Sequence, residues 1–227
     1  MKTYKAILLD ADDTIFDFAA CEGEAIRFAF EQYEFHLNED IRKAYAKINE
    51  DLWKQYEKGI VDKNTVINQR FRILFDRFDI KGNKDGFEEA YQELLGMQHI
   101  FIDDAIKVID YLYKKYDLYI VTNGVTKTQI RRIHESGLEP YIKKIFVSEE
   151  TGYQKPMKEY FDYCFDRIEC ARRDEALIIG DSLSSDIKGG NNAGITTCWY
   201  NPKALINSND SKVDIEIKHL SELYELL

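Results

Sequence analysis

Beyond residue 103 the chain switches hydrophobic period again and again, and that alternation leaves few folds open. Residues 103–116 repeat apolar positions about every 3.6 residues and read as a helix, and residues 118–121 are an unbroken apolar run that reads as a strand. The pattern then recurs: 127–136 helical, 145–147 a short strand, 158–168 helical, 176–179 a buried strand, 185–193 helical and 196–199 a strand. Helices between successive strands imply a parallel sheet covered on both faces. The early segment at 5–9, with its apolar run at 6–9, joins that sheet. A loop over 201–212, rich in Asn and Ser with Pro202, precedes a last short strand and a helix at 221–227.

Between residues 18 and 96 no strand signal interrupts the chain, and Leu52, Tyr56, Phe71, Leu74, Phe75 and Phe78 recur at helical spacing. A helical insertion here separates the first strand from its partners. The simplest arrangement is a cap over the carboxyl ends of the strands, where open α/β sheets bind ligands. The expected fold is therefore α/β: a Rossmann-like three-layer core with a parallel sheet, built from 1–17 and 97–227, plus an inserted helical cap at 18–96.

A length of 227 residues suits one core domain with an insertion. The 44% hydrophobic and 13% aromatic content excludes a disordered chain, and no apolar run approaches the ~18 residues that cross a bilayer, so no membrane partner is expected. The opening residues, with Lys2 and Lys5, end their apolar run at Asp10 with no small-residue cleavage site after it, and read as a core strand rather than a secretory signal. Cys21, Cys164, Cys170 and Cys198 have no repeated short spacing and read as buried reduced thiols, which suits the cytoplasm. A net charge of −10 opposes binding to a nucleic-acid polymer, and the short basic pairs Lys114-Lys115 and Lys143-Lys144 read as solvated helix ends or turns. A small anionic substrate stays open, because one lysine and a divalent cation reverse the field inside a pocket. His36, His99, His134 and His219 are scattered, with no metal-binding spacing, and take no role.

Four polar signals fall where predicted strands end. Asp10-Ala11-Asp12-Asp13-Thr14 follows the first apolar run, and two carboxylates two residues apart at a strand end converge on one ligand if the backbone stays extended. Thr122-Asn123-Gly124 follows the second strand and offers hydrogen-bond donors for phosphate oxygens before a helix start. Lys155-Pro156 supplies a cation on a rigid turn for a phosphoryl group. Gly180-Asp181 ends a buried strand with Asp186 five residues on, and such oxygen donors suit Mg²⁺. Taken singly, each has an ordinary reading as a solvated turn, an Asn-Gly turn, a loop or a helix N-terminal acid. The four together, in this order at the ends of one sheet, form a coherent set.

That set resembles the haloacid dehalogenase superfamily of phosphotransferases: Asp-x-Asp-x-Thr at 10–14, strand-end Thr122, Lys155, and Gly-Asp-x-x-x-x-Asp at 180–186. The resemblance implies that Asp10 is the nucleophile and Asp12, partly protonated, the general acid and base. It also implies that Thr122 and the Asn123 backbone amide hold the phosphoryl oxygens, with Lys155 balancing charge. Magnesium would then sit on the Asp10 side chain, the Asp12 carbonyl and Asp181, with Asp186 and Thr14 behind them. A dehalogenase of the superfamily has no use for Asp12 or magnesium, whereas a phosphomutase needs a water-excluding cap and a binding protein needs none of the acids.

The insertion carries a narrower likeness. Asn49-x-x-Leu52-Trp53-x-x-Tyr56-x-x-Gly59 and Arg70-Phe71, together with Leu9-Asp10-Ala11-Asp12 and Ser148-Glu149-Glu150-x-Gly152 outside it, are similar to the YjjG-type pyrimidine 5′-nucleotidases, which implies a nucleoside monophosphate as the substrate. Trp53 and Tyr56 are the cap candidates for contact with it, against a reading of each as cap-core packing. Residues 186–194 are also similar to the N-acylneuraminate-9-phosphatases, which implies a sugar phosphate instead.

Overall fold

The computed structural model describes residues 3–169, 171–207 and 211–227, and Cys170 lies outside them. The chain forms two compact units, residues 1–18 with 99–227 and residues 19–98. The larger unit is organised by strands β1 (Ala6–Leu9), β2 (Asp117–Thr122), β3 (Ile142–Val147), β4 (Ala176–Gly180), β5 (Thr196–Tyr200) and β6 (Ile215–Ile217). They form one parallel sheet in the order β3-β2-β1-β4-β5-β6, the doubly wound Rossmann-like arrangement. The strand that comes first in sequence is internal in space, and every residue of β1 is buried, as strands covered on both faces require.

Four helices occupy the segment expected to be helical: α1 (Phe18–Gln32), α2 (Glu39–Glu57), α3 (Lys63–Arg77) and α4 (Phe87–Gly96). Asn38 and Asp62 cap α2 and α3 by accepting from the amides of Ile41 and Thr65 at 2.9 and 2.7 Å. Inside the smaller unit, Phe30, Phe35, Phe71, Phe75 and Phe87 pack as an aromatic cluster, with Tyr45 stacked on Phe71 at 4.7 Å. A polar chain crosses the same interior. The buried Arg70 guanidinium forks onto Glu88 and donates to Asn49 Oδ1 at 3.1 Å, and Asn49 Nδ2 donates to Glu22 Oε1 at 2.7 Å. One residue from each of the four helices takes part.

In the larger unit, α5 (Ala105–Tyr113), α6 (Thr126–Glu135), α7 (Ser148–Thr151), α8 (Lys158–Phe165), α9 (Lys188–Ala193) and α10 (Leu223–Leu226) follow. On one sheet face Ala6, Leu8, Tyr119, Val121 and Ile178 pack with Tyr160, Phe161 and Cys164 of α8 and Ala193 of α9. Helix α9 reaches this face because of its glycines. A Cβ at Gly190 would stand 2.7 Å from methyls of Ile178 and Thr197, and one at Gly189 would stand 2.6 Å from the Phe161 ring.

Several local expectations are corrected. Lys143 and Lys144 lie in β3 rather than in a turn or helix end, exposed on an edge strand, where charge discourages further pairing. Their polarity hid the first half of that strand. The helix expected over 185–193 begins as a π-helical turn, Leu183–Ile187, before α9, and the one expected to reach residue 168 ends at Phe165. Cys21, Cys164 and Cys198 are buried, with no disulfide among the described residues, and burial pushes the Cys198 thiol up to about 12. No described helix is long and apolar enough to cross a membrane.

Removing one partner from a buried ionic network strands the others, so Arg70→Ala should lower the unfolding free energy by about 3–5 kcal/mol. Urea denaturation followed by circular dichroism checks this, and an unchanged midpoint would contradict it.

Candidate active site

Sheet register assembles the acidic cluster. Leu9 of β1 stands level with Ile120 of β2 and Ile179 of β4, so the chain leaves all three strands at one edge within a few residues. Asp10 extends the ladder by one step, its amide donating to Ile179 O at 2.9 Å. Thr122 ends β2 and Asp181 follows Gly180 at the end of β4. Signals separated by more than 100 residues in sequence thus meet where β1 is flanked by β2 and β4, the switch point of the sheet.

Lys155 arrives from the loop before α8, on a cis Lys155–Pro156 peptide, and is 2% exposed. Its Nζ donates to Asp10 Oδ1 at 2.5 Å, to Val121 O at 2.8 Å and to Asp186 Oδ1 at 2.7 Å, which uses all three ammonium hydrogens. Burial disfavours the charge, but Asp10 and Asp186 outweigh it and hold the amine above the ordinary lysine range. Asn123 fixes the backbone beneath: its Nδ2 donates to Lys155 O and its Oδ1 accepts from Lys155 N, both at 2.9 Å. Sequence reading had Asn123 donating to phosphate oxygens; its side chain instead clamps the Lys155 backbone. Asp186 Oδ2 accepts from Ser182 N at 3.1 Å, and the carboxylate fits only because Gly180 has no side chain: a Cβ there would collide with it.

Thr122 is buried at the pocket, where its Oγ1 accepts from the Gly124 amide at 3.1 Å and from Gln129 Nε2 at 2.8 Å. With both lone pairs engaged, the hydroxyl has its own hydrogen left to donate. Asp12 is more exposed than Asp10, its side chain 29% against 10%. Both its oxygens face donors, Arg132 Nη1 on Oδ1 and Gln129 Nε2 on Oδ2 at 2.8 Å. Thr14 is buried, with a hydroxyl that makes no hydrogen bond.

Asp10, Asp181 and Asp186 each bring a carboxylate oxygen to one place, the three atoms within 4.8 Å of one another. Burial raises the Asp10 carboxyl well above its ordinary range; Lys155 opposes this, and Asp186 and Asp12 add to it. Asp181 is raised in the same direction by burial, Asp10 and Asp186. One ammonium among three carboxylates leaves negative charge in excess. An all-oxygen donor set of this kind fits a hard divalent cation that keeps several waters.

The structure therefore brings together Asp10, Asp12, Thr122, Asn123, Lys155, Asp181 and Asp186. Trp53 and Tyr56 belong to the smaller unit, their rings 5.6 Å apart and nearly perpendicular, with Tyr56 buried and Trp53 half-buried. Sequence reading missed Gln129 and Arg132. Their signal was a run of polar residues, Thr128, Gln129 and Arg132, on the buried stripe of α6 beside Ile133.

Comparison with known proteins agrees with this geometry. YfnB of Bacillus subtilis is 45% identical over 227 residues, spanning 100% of this chain and 97% of its own. A crystal structure of YfnB bound to magnesium matches with a TM-score of 0.94, over 100% of this chain and 99% of that one. The pyrimidine 5′-nucleotidase PynA of Streptococcus pneumoniae is 35% identical over 99% of this chain and 95% of its own, and the pyrimidine 5′-nucleotidase YjjG of Escherichia coli is 28% identical over 97% and 96%. Residues 4–194 match the haloacid dehalogenase-like hydrolase family. Every residue gathered at the pocket lies inside that span, and the chain belongs to this family of hydrolases.

Proposed function

We propose that the chain is a magnesium-dependent phosphoric monoester hydrolase working through an aspartyl-phosphate at Asp10, and that its substrates are pyrimidine nucleoside 5′-monophosphates. The observation that carries the reading is the position of the Asp10 carboxylate, bonded to a buried lysine and within 4.8 Å of two further acids, with Asp12 two residues along the chain. Mg²⁺ held by Asp10, the Asp12 carbonyl and Asp181 would supply the charge that admits a phosphate dianion to an acidic pocket.

The protein's own groups do the rest. Asp10 attacks phosphorus and the P–O bond to the leaving group breaks, while Asp12 gives that oxygen its proton. Thr122 donates its hydroxyl hydrogen to a phosphoryl oxygen, and Lys155 offsets charge on Asp10 and the transferring group. Asp12 then takes a proton from the water that cleaves the aspartyl-phosphate, and phosphate leaves with Asp10 regenerated. Asp186 and Asn123 keep Lys155 in place throughout. The groups at the strand ends address only the phosphate, so we assign the choice of leaving group to residues 19–98.

The pyrimidine preference draws support from PynA and YjjG, matched along nearly their full length, and from the 49–59 and 70–71 motifs of the smaller unit. The sugar-phosphate reading draws on residues 186–194 of the catalytic unit and on N-acylneuraminate-9-phosphatases at 25–26% identity, below the 35% and 28% of PynA and YjjG.

In steady-state assays of dUMP, dTMP, dAMP and a sugar phosphate, kcat/KM should be highest for the pyrimidine nucleotides. Activity should vanish in chelator and return with Mg²⁺. A higher kcat/KM for the sugar phosphate would overturn the nucleotidase assignment. Asp10→Asn should lower kcat by at least about 10⁴-fold, the scale of a lost nucleophile, and full activity in that variant would end the covalent mechanism. Gly180→Ala displaces Asp186 and, through it, Lys155. It should lower kcat by roughly 100-fold, as an ångström-scale misplacement does, while the folded spectrum is retained.

A further inference from the structure

The Asp12 side chain is more exposed than those of Asp10 and Asp186, yet the proposed reaction needs it to meet two oxygens in turn, the leaving alkoxide and the attacking water. A partly solvated carboxylate on a loop has rotational freedom that works against both encounters. The structure removes that freedom with two residues one turn apart on α6.

Arg132 is 0% exposed. Its guanidinium carbon stands 4.6 Å from the centre of the Phe16 ring, and its Nη1 donates both to Asp12 Oδ1 and to Gln129 Oε1, the latter at 2.9 Å. Phe16 is itself held to the Asp12 loop, since its carbonyl accepts from Asp13 N at 2.8 Å and its amide donates to Ala11 O at 2.9 Å. Gln129 Nε2 spends its two hydrogens on Asp12 Oδ2 and on Thr122 Oγ1, both at 2.8 Å. The path between them is kept open by Gly124, where a Cβ would stand 2.7 Å from the Gln129 side chain. Packing alone does not account for this arrangement. An apolar residue fills an interior site without the cost of desolvating a guanidinium, and here a guanidinium backed by an aromatic ring and a side-chain amide both donate to one carboxylate.

We propose that Arg132 and Gln129 are positioning residues for proton transfer: Arg132 fixes one oxygen of Asp12, and Gln129 fixes the other and ties it to the phosphoryl-binding hydroxyl of Thr122. The proposal rests on the phosphohydrolase reading above. It makes a distinction that a merely structural role does not. 4-Nitrophenolate leaves without a proton, whereas an alkoxide needs one, so loss of Asp12 positioning penalises alkyl esters and spares the aryl ester in the first step.

The test is single-turnover kinetics at saturating enzyme with Mg²⁺, comparing 4-nitrophenyl phosphate and 2-phenylethyl phosphate in the wild type, Arg132→Leu, Arg132→Lys and Gln129→Met. In Arg132→Leu and Gln129→Met, release of 2-phenylethanol should slow by about 100-fold while release of 4-nitrophenol stays within about threefold. Arg132→Lys, which keeps the charge but not the fork, should fall between. Equal slowing on both esters in a variant with wild-type circular dichroism, or no slowing on either, overturns the proposal. If Arg132→Leu does not fold, Gln129→Met decides by the same criterion. A wild type that releases neither alcohol overturns the phosphohydrolase reading and this proposal with it, whereas parallel losses from an active wild type overturn this proposal alone.

Discussion

A lysine ammonium buried between two carboxylates and a carbonyl organises the catalytic unit. Lys155 reaches Asp10 from β1, Asp186 from the turn after β4 and Val121 O from β2, so one cation ties together three strand ends that the chain visits far apart. An unpaired charge at this depth is costly, and each of the three bonds offsets part of that cost. The features around it follow from the need to keep the ammonium there. Asn123 clamps its backbone, Gly180 makes room for Asp186, and Ser182 holds the far oxygen of that acid.

The electrostatic balance is deliberately incomplete on the acidic side. Asp10 and Asp181 are both pushed upward by burial and by their acidic neighbours, and Lys155 alone does not cancel the excess. A divalent cation held by these acids would resolve the conflict by the same logic that lets an acidic pocket accept a phosphate. Charge distribution also separates the acids. Asp10 and Asp186 share the lysine, whereas Asp12 stands nearer to solvent on partners of its own.

This protein has two kinds of interior. The catalytic unit is built on a sheet whose register sets which strand ends meet, while the 19–98 unit is four helices around packed aromatic rings with one polar chain through them. A rigid sheet edge suits chemistry that every phosphate ester shares.

Much of this was readable from residue order. Alternating periods specify a parallel α/β sheet because a strand buried on both faces must be apolar throughout and a helix must show a stripe. Asp10, Thr122 and Asp181 were legible because each ends or follows such a run with a polar group that an ordinary core has no use for, whereas Lys155, in a polar turn, stood out only by its place among them. Lys143 and Lys144 misled because an edge strand carries the charge that a central one excludes. Gln129, Arg132 and the side-chain role of Asn123 could not be read from the chain. Each acts through a partner 7 to 120 residues away, and only folding sets those distances. Local composition decides what a segment becomes, whereas a hydrogen bond between segments exists only once the sheet has brought their ends together.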